Sequence, residues 1–165
     1  MNFVLLALTT ELSQGFTSLR ECVQSLENTT VDRISSICRR VEGQTEGTLS
    51  SEMVVVLDLR TDLDFTELQK LVRKLKMRSP GVNVLVLALN HQVYLDPQTP
   101  IPHPDLHLDP LILRCAAEIR SDFEHPVLGR SLQELVKSSQ SSFQQAQFEF
   151  LSRGERLLAP PTETP

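Results

Sequence analysis

The stretch VNVLVLAL at residues 82–89 constrains the fold most, because all of its residues except Asn83 are apolar. A run of this length between Ser79-Pro80-Gly81 and Asn90-His91 is typical of a strand that is covered on both faces. The apolar runs FVLLAL at 3–8 and MVVVLDLR at 53–60 predict further strands. Residues 82–89 are therefore predicted to form the central strand of an α+β sheet.

Two amphipathic helices are predicted between these strands. The apolar residues of each recur at spacings of three and four: Leu12, Phe16, Leu19, Val23 and Leu26 in the first, and Phe65, Leu68, Leu71, Val72 and Leu75 in the second. Asp64 and Glu67 have the spacing of a capping box at the start of the second helix. Residues 31–41 alternate partially and predict an edge strand.

The order strand-helix-strand-strand-helix-strand predicts a ferredoxin-like βαββαβ fold, with an antiparallel sheet and helices packed on one face. The predicted core consists of apolar residues from all of these elements: Val4, Leu6, Phe16, Leu19, Val23, Val55, Leu57, Leu68, Leu71, Val84, Val86 and Ile112.

The predicted organisation has three parts: an α+β domain at 1–130, a C-terminal helical extension at 131–158 and a disordered tail at 159–165. In the extension, four apolar residues recur at intervals of seven: Val136, Phe143, Phe150 and Leu157. This stripe has two interpretations, a helix packed on its own domain or an exposed ridge that binds a second copy or another protein. We expect a protein partner or a homodimer through Phe143 and Phe150.

The net charge and the cysteines limit the classes of partner and the cellular compartment that are expected. The net charge of −5 argues against a nucleic-acid backbone or an anionic membrane as the partner. Cys22, Cys38 and Cys115 are odd in number and have no CxxC spacing, which favours reduced cysteines in the core. No apolar run is long enough to span a bilayer. We therefore expect a cytoplasmic protein.

The segment before the third predicted helix has two interpretations. His103, Asp105, His107 and Asp109 stand at every second position, so in an extended chain they could share a face and hold a divalent ion. The alternative is a rigid, proline-rich loop in which Asp109 caps a helix, from Pro110 to Arg120, that has proline as its first residue. The second interpretation is favoured, so no metal site is predicted.

The same segment carries a resemblance to a known family. Residues 100–136, PIPHPDLHLDPLILRCAAEIRSDFEHPVLGRSLQELV, resemble the C-terminal half of the 6-hydroxymethyl-7,8-dihydropterin pyrophosphokinases of folate synthesis. The shared residues agree in order and spacing: Ile101, Pro102, His103, Pro104, Leu113, Glu118, Ile119, His125, Pro126 and Gly129. The resemblance implies a ferredoxin-like fold, Mg²⁺-dependent transfer of pyrophosphate from ATP to a pterin, and a nucleotide pocket walled by Pro102 and His103.

Other positions depart from the pattern of that family. Asn83 and Leu85 replace the two aspartates that hold the metal ions, and Asp109 replaces an arginine that follows the Pro-His-Pro loop. In the pterin pocket, Thr9 and Thr10 stand in place of a glycine-serine-asparagine turn and Val54 in place of an asparagine. Leu85 is expected to face the former active site and to make it drier or covered. These departures from the family pattern imply that the pocket has lost the residues for binding metal, phosphate and pterin.

Two functions follow from the resemblance. The first is a catalytically degenerate homologue that needs no cofactor and acts as a binding or assembly module. The alternative is a divergent, active pyrophosphokinase in which Asp96, Asp105 or Asp109 holds Mg²⁺ for ATP. A third possibility is that the old pocket still binds a planar heterocycle without catalysis.

Overall fold

An antiparallel sheet of six strands organises the described residues of the computed structural model, which are 1–13, 15–41, 52–139 and 147–158. In chain order the elements are β1 (Asn2–Glu11), α1 (Gly15–Gln24), β2 (Thr29–Ile34), β3 (Ile37–Val41), β4 (Glu52–Thr61), α2 (Phe65–Arg78), β5 (Val82–Leu89), α3 (Asp105–Leu108), α4 (Pro110–Arg120), α5 (Leu132–Ser138), β6 (Gln147–Ser152) and a 3-10 helix (Gly154–Leu157). The α+β class and the antiparallel pairing are confirmed.

The strands lie in the order β5-β1-β4-β3-β6, and β2 also pairs with β4. The strand predicted at 31–41 is divided into β2 and β3. At the break, the Ser35 amide donates to the Val56 carbonyl at 2.9 Å, and the Val56 amide donates to Ser35 Oγ at 2.9 Å. These two bonds keep the break attached to β4.

Helices cover both faces of the sheet, so the prediction of helices on one face is wrong. On the first face, α1 and α2 pack on side chains such as Leu6 and Leu57; on the second face, α4 and α5 pack on side chains such as Leu5 and Val56. Successive residues of β1, and of β4, point to opposite faces of the sheet, and both sets are apolar. Each face therefore needs a covering layer of helices. Ten of the twelve predicted core residues are buried, and Phe16 and Val86 are half-buried.

β5 lies at one edge of the sheet that the described residues form, so the prediction of a central strand is wrong. Its apolar sequence reflects burial of both its faces, which is independent of the number of neighbouring strands. Residues beyond β5 return along its outer side: Tyr94 pairs with Ile101, and the His103 amide donates to the Leu87 carbonyl at 2.9 Å.

The helix predicted over 131–158 is wrong at residues 147–152, which form a strand. Residues 147–152 form β6, where Phe150 pairs with Cys38 of β3, and Leu157 lies in the 3-10 helix, fully buried in the first-face core. Phe148 and Phe150 alternate with Glu149 and Leu151, which is the period of a strand, and the partner strand β3 satisfies their backbone. Phe143 and the tail at 159–165 lie outside the described residues.

The local helix signals are confirmed. Asp64 and Glu67 form the capping box of α2, and Asp109 caps α4 by accepting from the amides of Leu111 and Ile112 with Pro110 as the first helical residue. No helix in the part of the chain that the structure describes combines the length and apolar character needed to cross a membrane.

Candidate functional site

The positions that the resemblance assigns to metal and pterin binding lie together on the second face. Thr9 of β1 pairs with Asn83 of β5 on one side and with Val54 of β4 on the other. Leu85 lies one step along the same face, where it packs against the second-face core. Thr10 alternates to the opposite side, and its hydroxyl donates to the Gly81 carbonyl at 2.8 Å. Four of these five residues therefore share one surface.

The chemistry of this surface does not fit Mg²⁺. Val54 is fully buried and Thr9 nearly so, and Asn83 contributes a neutral amide where the family has a carboxylate. Mg²⁺ requires hard oxygen ligands in an octahedron, and proteins usually supply one or two carboxylates that complete it together with water and substrate phosphates. Among the described residues, no group of three or more His, Cys, Asp and Glu side chains is placed to hold a metal ion.

Asp109 forms an ion pair with Arg40 of β3, which sequence reasoning did not identify as part of the site. The two Arg40 terminal nitrogens donate to the two Asp109 oxygens at 3.1 and 2.7 Å, and Arg40 Nε donates to Glu52 at 3.1 Å. Burial alone lowers the pKa of Arg40, but the bonds and charges of Asp109 and Glu52 outweigh burial and raise it. Two carboxylates thus neutralise this guanidinium, and Asp109 is engaged as both cap and ion-pair partner.

Asn83, Thr9 and Val54 form a row across three neighbouring strands. Cys38 of β3 pairs with Val54 and so continues this row. Its thiol lies beside that of Cys115 on α4, close enough for a bond between the two thiols to affect both pKa values. This bond lowers the pKa of Cys38 against the opposing effect of burial, and the same bond together with burial raises the pKa of Cys115 well above its usual value. All three cysteines are free and buried, as expected. The spacing of 38 and 115 in the sequence gave no signal of this contact.

The alternating residues 103–109 do not form one cluster, because Asp105–Leu108 is helical and its side chains point in different directions. His103 Nδ1 accepts from the Asp105 amide at 3.1 Å, so this histidine stabilises its own turn after the cis bond between Ile101 and Pro102. Asp109 points to Arg40 instead.

His107 packs against His125 with the ring centroids 5.2 Å apart. His125 is 1% exposed, and its Nδ1 accepts from the amides of Val127 and Leu128 at 3.3 and 3.2 Å. Burial, followed by the charge of His107, lowers the pKa of His125 to about 4. His125 is therefore a neutral structural residue near pH 7, and it was recognised in the sequence only as part of the family pattern.

A cavity of about 500 Å³ lies between α2, β5 and residues 96–103. Leu85 and His103 line it, and α2 contributes Arg73 and Lys76. The drier or covered pocket expected from Leu85 is therefore not what the structure shows, because Leu85 borders a cavity that carries two cations. A second cavity, of about 470 Å³, lies beside Asn83 and Thr9.

Comparisons with known proteins give structural matches. No protein-family model and no curated protein sequence matches the chain. A Plasmodium falciparum HPPK-DHPS triple mutant with STZ-DHP has a TM-score of 0.72 and 11% identity, covering 87% of this chain and 44% of that chain. The wild-type enzyme with SDX-DHP has a TM-score of 0.68 and 11% identity, covering 88% and 45%. An HPPK-DHPS in complex with substrates has a TM-score of 0.71 and 9% identity, covering 87% and 44%.

The chain thus spans less than half of the length of the structures it matches. HPPK abbreviates the pyrophosphokinase to which the sequence has its resemblance. At this level of identity the likeness establishes the fold, which is the ferredoxin-like fold of HPPK.

Proposed function

We propose that this protein is a catalytically degenerate relative of the pyrophosphokinases that acts as a binding or assembly module. The observation that carries the proposal is the row of Asn83, Thr9 and Val54 across three strands, followed by Leu85 on the same face. Transfer of pyrophosphate from ATP needs Mg²⁺ to align and neutralise the phosphates. A surface of amide, hydroxyl and methyl groups supplies no carboxylate for that ion.

The charges beside this surface support the same proposal. In an active site, an arginine near the phosphates stabilises developing negative charge. Arg40 is instead held by Asp109 and Glu52, so an incoming phosphate would have to displace two carboxylates. The bidentate geometry of the Arg40–Asp109 pair makes that displacement costly.

The active-enzyme alternative rests on the fold and on the cavity that still holds His103, Arg73 and Lys76. Its metal ligands would come from Asp96, Asp105 or Asp109. Asp109 is engaged with Arg40, and of the other two only Asp96 lines the cavity. A single carboxylate is a poor basis for the two-metal chemistry of the family.

The proposed partner is a protein and not a nucleic acid or a membrane, given the net charge of −5. The proposed location is the cytoplasm, because three free, buried thiols suit a reducing compartment.

An assay for AMP release tests the proposal. The full chain is incubated with ATP, Mg²⁺ and 6-hydroxymethyl-7,8-dihydropterin, and we expect no AMP above the protein-free control. Release of AMP that requires both substrates and Mg²⁺ would overturn the proposal.

A variant with Asn83→Asp and Leu85→Asp is assayed in parallel. We expect it to remain inactive, because Val54 and the Arg40–Asp109 pair are unchanged. Turnover by the double variant would mean that the two lost carboxylates are the whole difference from an active enzyme.

A further inference from the structure

The outer edge of β5 lacks the usual protection of an edge strand. Exposed strand edges are normally blocked by charged residues or proline, because unpaired backbone groups attract another strand. β5 contains no charged residue and no proline. Among the described residues no strand pairs with its outer side, and the returning loop covers it at Leu87, where the His103 amide donates to the carbonyl.

The 500 Å³ cavity follows the uncovered part of this edge. Val84, Leu85 and Val86 line it on the strand side, and α2 and residues 96–101 form its walls. Leu85 and Val86 are half-buried, in contrast to the fully covered residues from Leu87 to Leu89. Three strand residues extend about 10 Å, which is enough for the backbone of a short extended segment to pair with them.

The two cations that line the cavity have no ion-pair partner among the described residues. On the outer side of α2, Lys74 and Arg78 both pair with Glu27. Arg73 and Lys76 line the cavity and make no ion pair within the residues that the structure describes. Asp96 is the acidic side chain of the lining, and its carboxylate accepts from the Gln98 amide at 2.9 Å. The groove therefore presents an apolar strand edge beside two unpaired positive charges.

We propose that this groove binds an extended acidic segment of a partner protein, which adds a strand to β5 and places its carboxylates against Arg73 and Lys76. Strand addition obtains affinity from backbone hydrogen bonds and specificity from alternate side chains. The apolar side chains of the segment pack on Val72 and Val84, which also line the groove. This inference deepens the proposed binding role by naming the surface and the chemistry of the partner.

Fluorescence anisotropy with labelled model peptides tests the inference on the full chain. The probe is the heptapeptide Glu-Val-Glu-Val-Glu-Val-Glu. Its controls are the peptide with lysine in place of every glutamate, and the peptide with proline in place of the central valine, which removes a backbone donor. We expect saturable binding of the probe alone. NMR amide shifts on binding are expected at Val84, Leu85 and Val86.

Two matched double variants locate the charges. Arg73→Gln with Lys76→Gln is expected to weaken binding about tenfold, since each exposed ion pair contributes up to about 1 kcal/mol. Lys74→Gln with Arg78→Gln removes the same charge from the outer side of α2 and is expected to leave binding unchanged.

Four outcomes would overturn the inference: no saturable binding of the acidic probe, equal binding of the lysine peptide, equal binding of the proline peptide, or equal weakening by both double variants. The AMP-release assay reads catalysis alone. AMP release with peptide binding intact would overturn the proposed function but not the groove, and absence of both AMP release and peptide binding would overturn the groove but not the loss of catalysis.

Discussion

The two faces of the sheet are built from the same strands but have different chemistry. The first face, under α1 and α2, is almost entirely aliphatic, and its cysteine is the isolated Cys22. The second face, under α4 and α5, adds a buried carboxylate at Asp58 and the Cys38–Cys115 contact. It also carries the positions that the resemblance assigns to metal and pterin binding. The difference shows that the polar groups of this face are held in structural pairs.

Loss of the buried carboxylate is expected to have the largest effect. Asp58 is 2% exposed and accepts from Arg120 Nε at 2.7 Å. Removing one partner of a buried pair leaves the other charge uncompensated, so Asp58→Ala is expected to lower the free energy of unfolding by about 4 kcal/mol. Urea denaturation measures the loss. Asp32→Ala, which breaks the more exposed pair with Arg60, is the control and should cost under about 1 kcal/mol. Equal costs would mean that the second face does not depend on its polar pairs.

Acid should destabilise the protein through the second face. The pKa of His125 is about 4 in the folded chain, below its usual 6.5, so the unfolded chain binds the proton first as the pH falls. The stability that neutral His125 provides is present above pH 6.5 and is lost between pH 6.5 and 4, by about 3 kcal/mol.

Thermal denaturation across this pH range measures the slope of stability against pH. His125→Gln is expected to flatten it, and His91→Gln, at an exposed histidine, should leave it unchanged. If the pH dependence of stability is unchanged in His125→Gln, then His125 does not cause the loss of stability in acid.

The cysteines of the two faces should differ in reactivity. The thiolate is the reactive form, and the hydrogen bond from Cys115 lowers the pKa of Cys38, whereas burial raises that of Cys22 to about 11. We expect iodoacetamide to label Cys38 about tenfold faster than Cys22 in the folded protein. Mass spectrometry of the labelled peptides measures the labelling rate of each cysteine. Cys115→Ser, which alters the hydrogen bond, should reduce the difference; faster labelling of Cys22 would contradict the asymmetry.

The smallest effect on stability is expected at Phe150. Its side chain is 59% exposed on β6, so Phe150→Ser should change the free energy of unfolding by about 0.5 kcal/mol or less. If Phe150 serves association, light scattering should show a wild-type dimer that the variant converts to a monomer. A wild-type monomer, or a dimer unchanged by the substitution, would remove self-association through this residue.

Local signals in the sequence predicted their elements well. The capping box at Asp64 and the cap at Asp109 act within three residues, and both helices begin where these signals place them. The sequence does not predict β6, because its stability comes from pairing with the distant β3 and Phe150 also fits a spacing of seven. It predicts a central position for β5 wrongly, because an apolar run indicates burial and not the number of neighbouring strands.

The sequence predicts only part of the candidate site. The resemblance selected Asn83, Thr9 and Val54, and strand register brings them together. The Arg40–Asp109 pair and the Cys38–Cys115 contact depend on how α4 lies over the sheet. Such packing joins residues far apart in sequence, and no spacing rule could have identified these partners.

The pairing of β6 with β3 has a consequence for synthesis of the chain. Arg39 and Glu149, which form an ion pair across these strands, are 110 residues apart in the sequence. A ribosome adds about 5–20 residues per second, so a nascent chain carries β3 without this neighbour for roughly ten seconds. During that interval the side of β3 that faces away from β4 presents unpaired backbone groups, which can template aggregation. β3 therefore has no strand on this side until residues 147–152 have been synthesised.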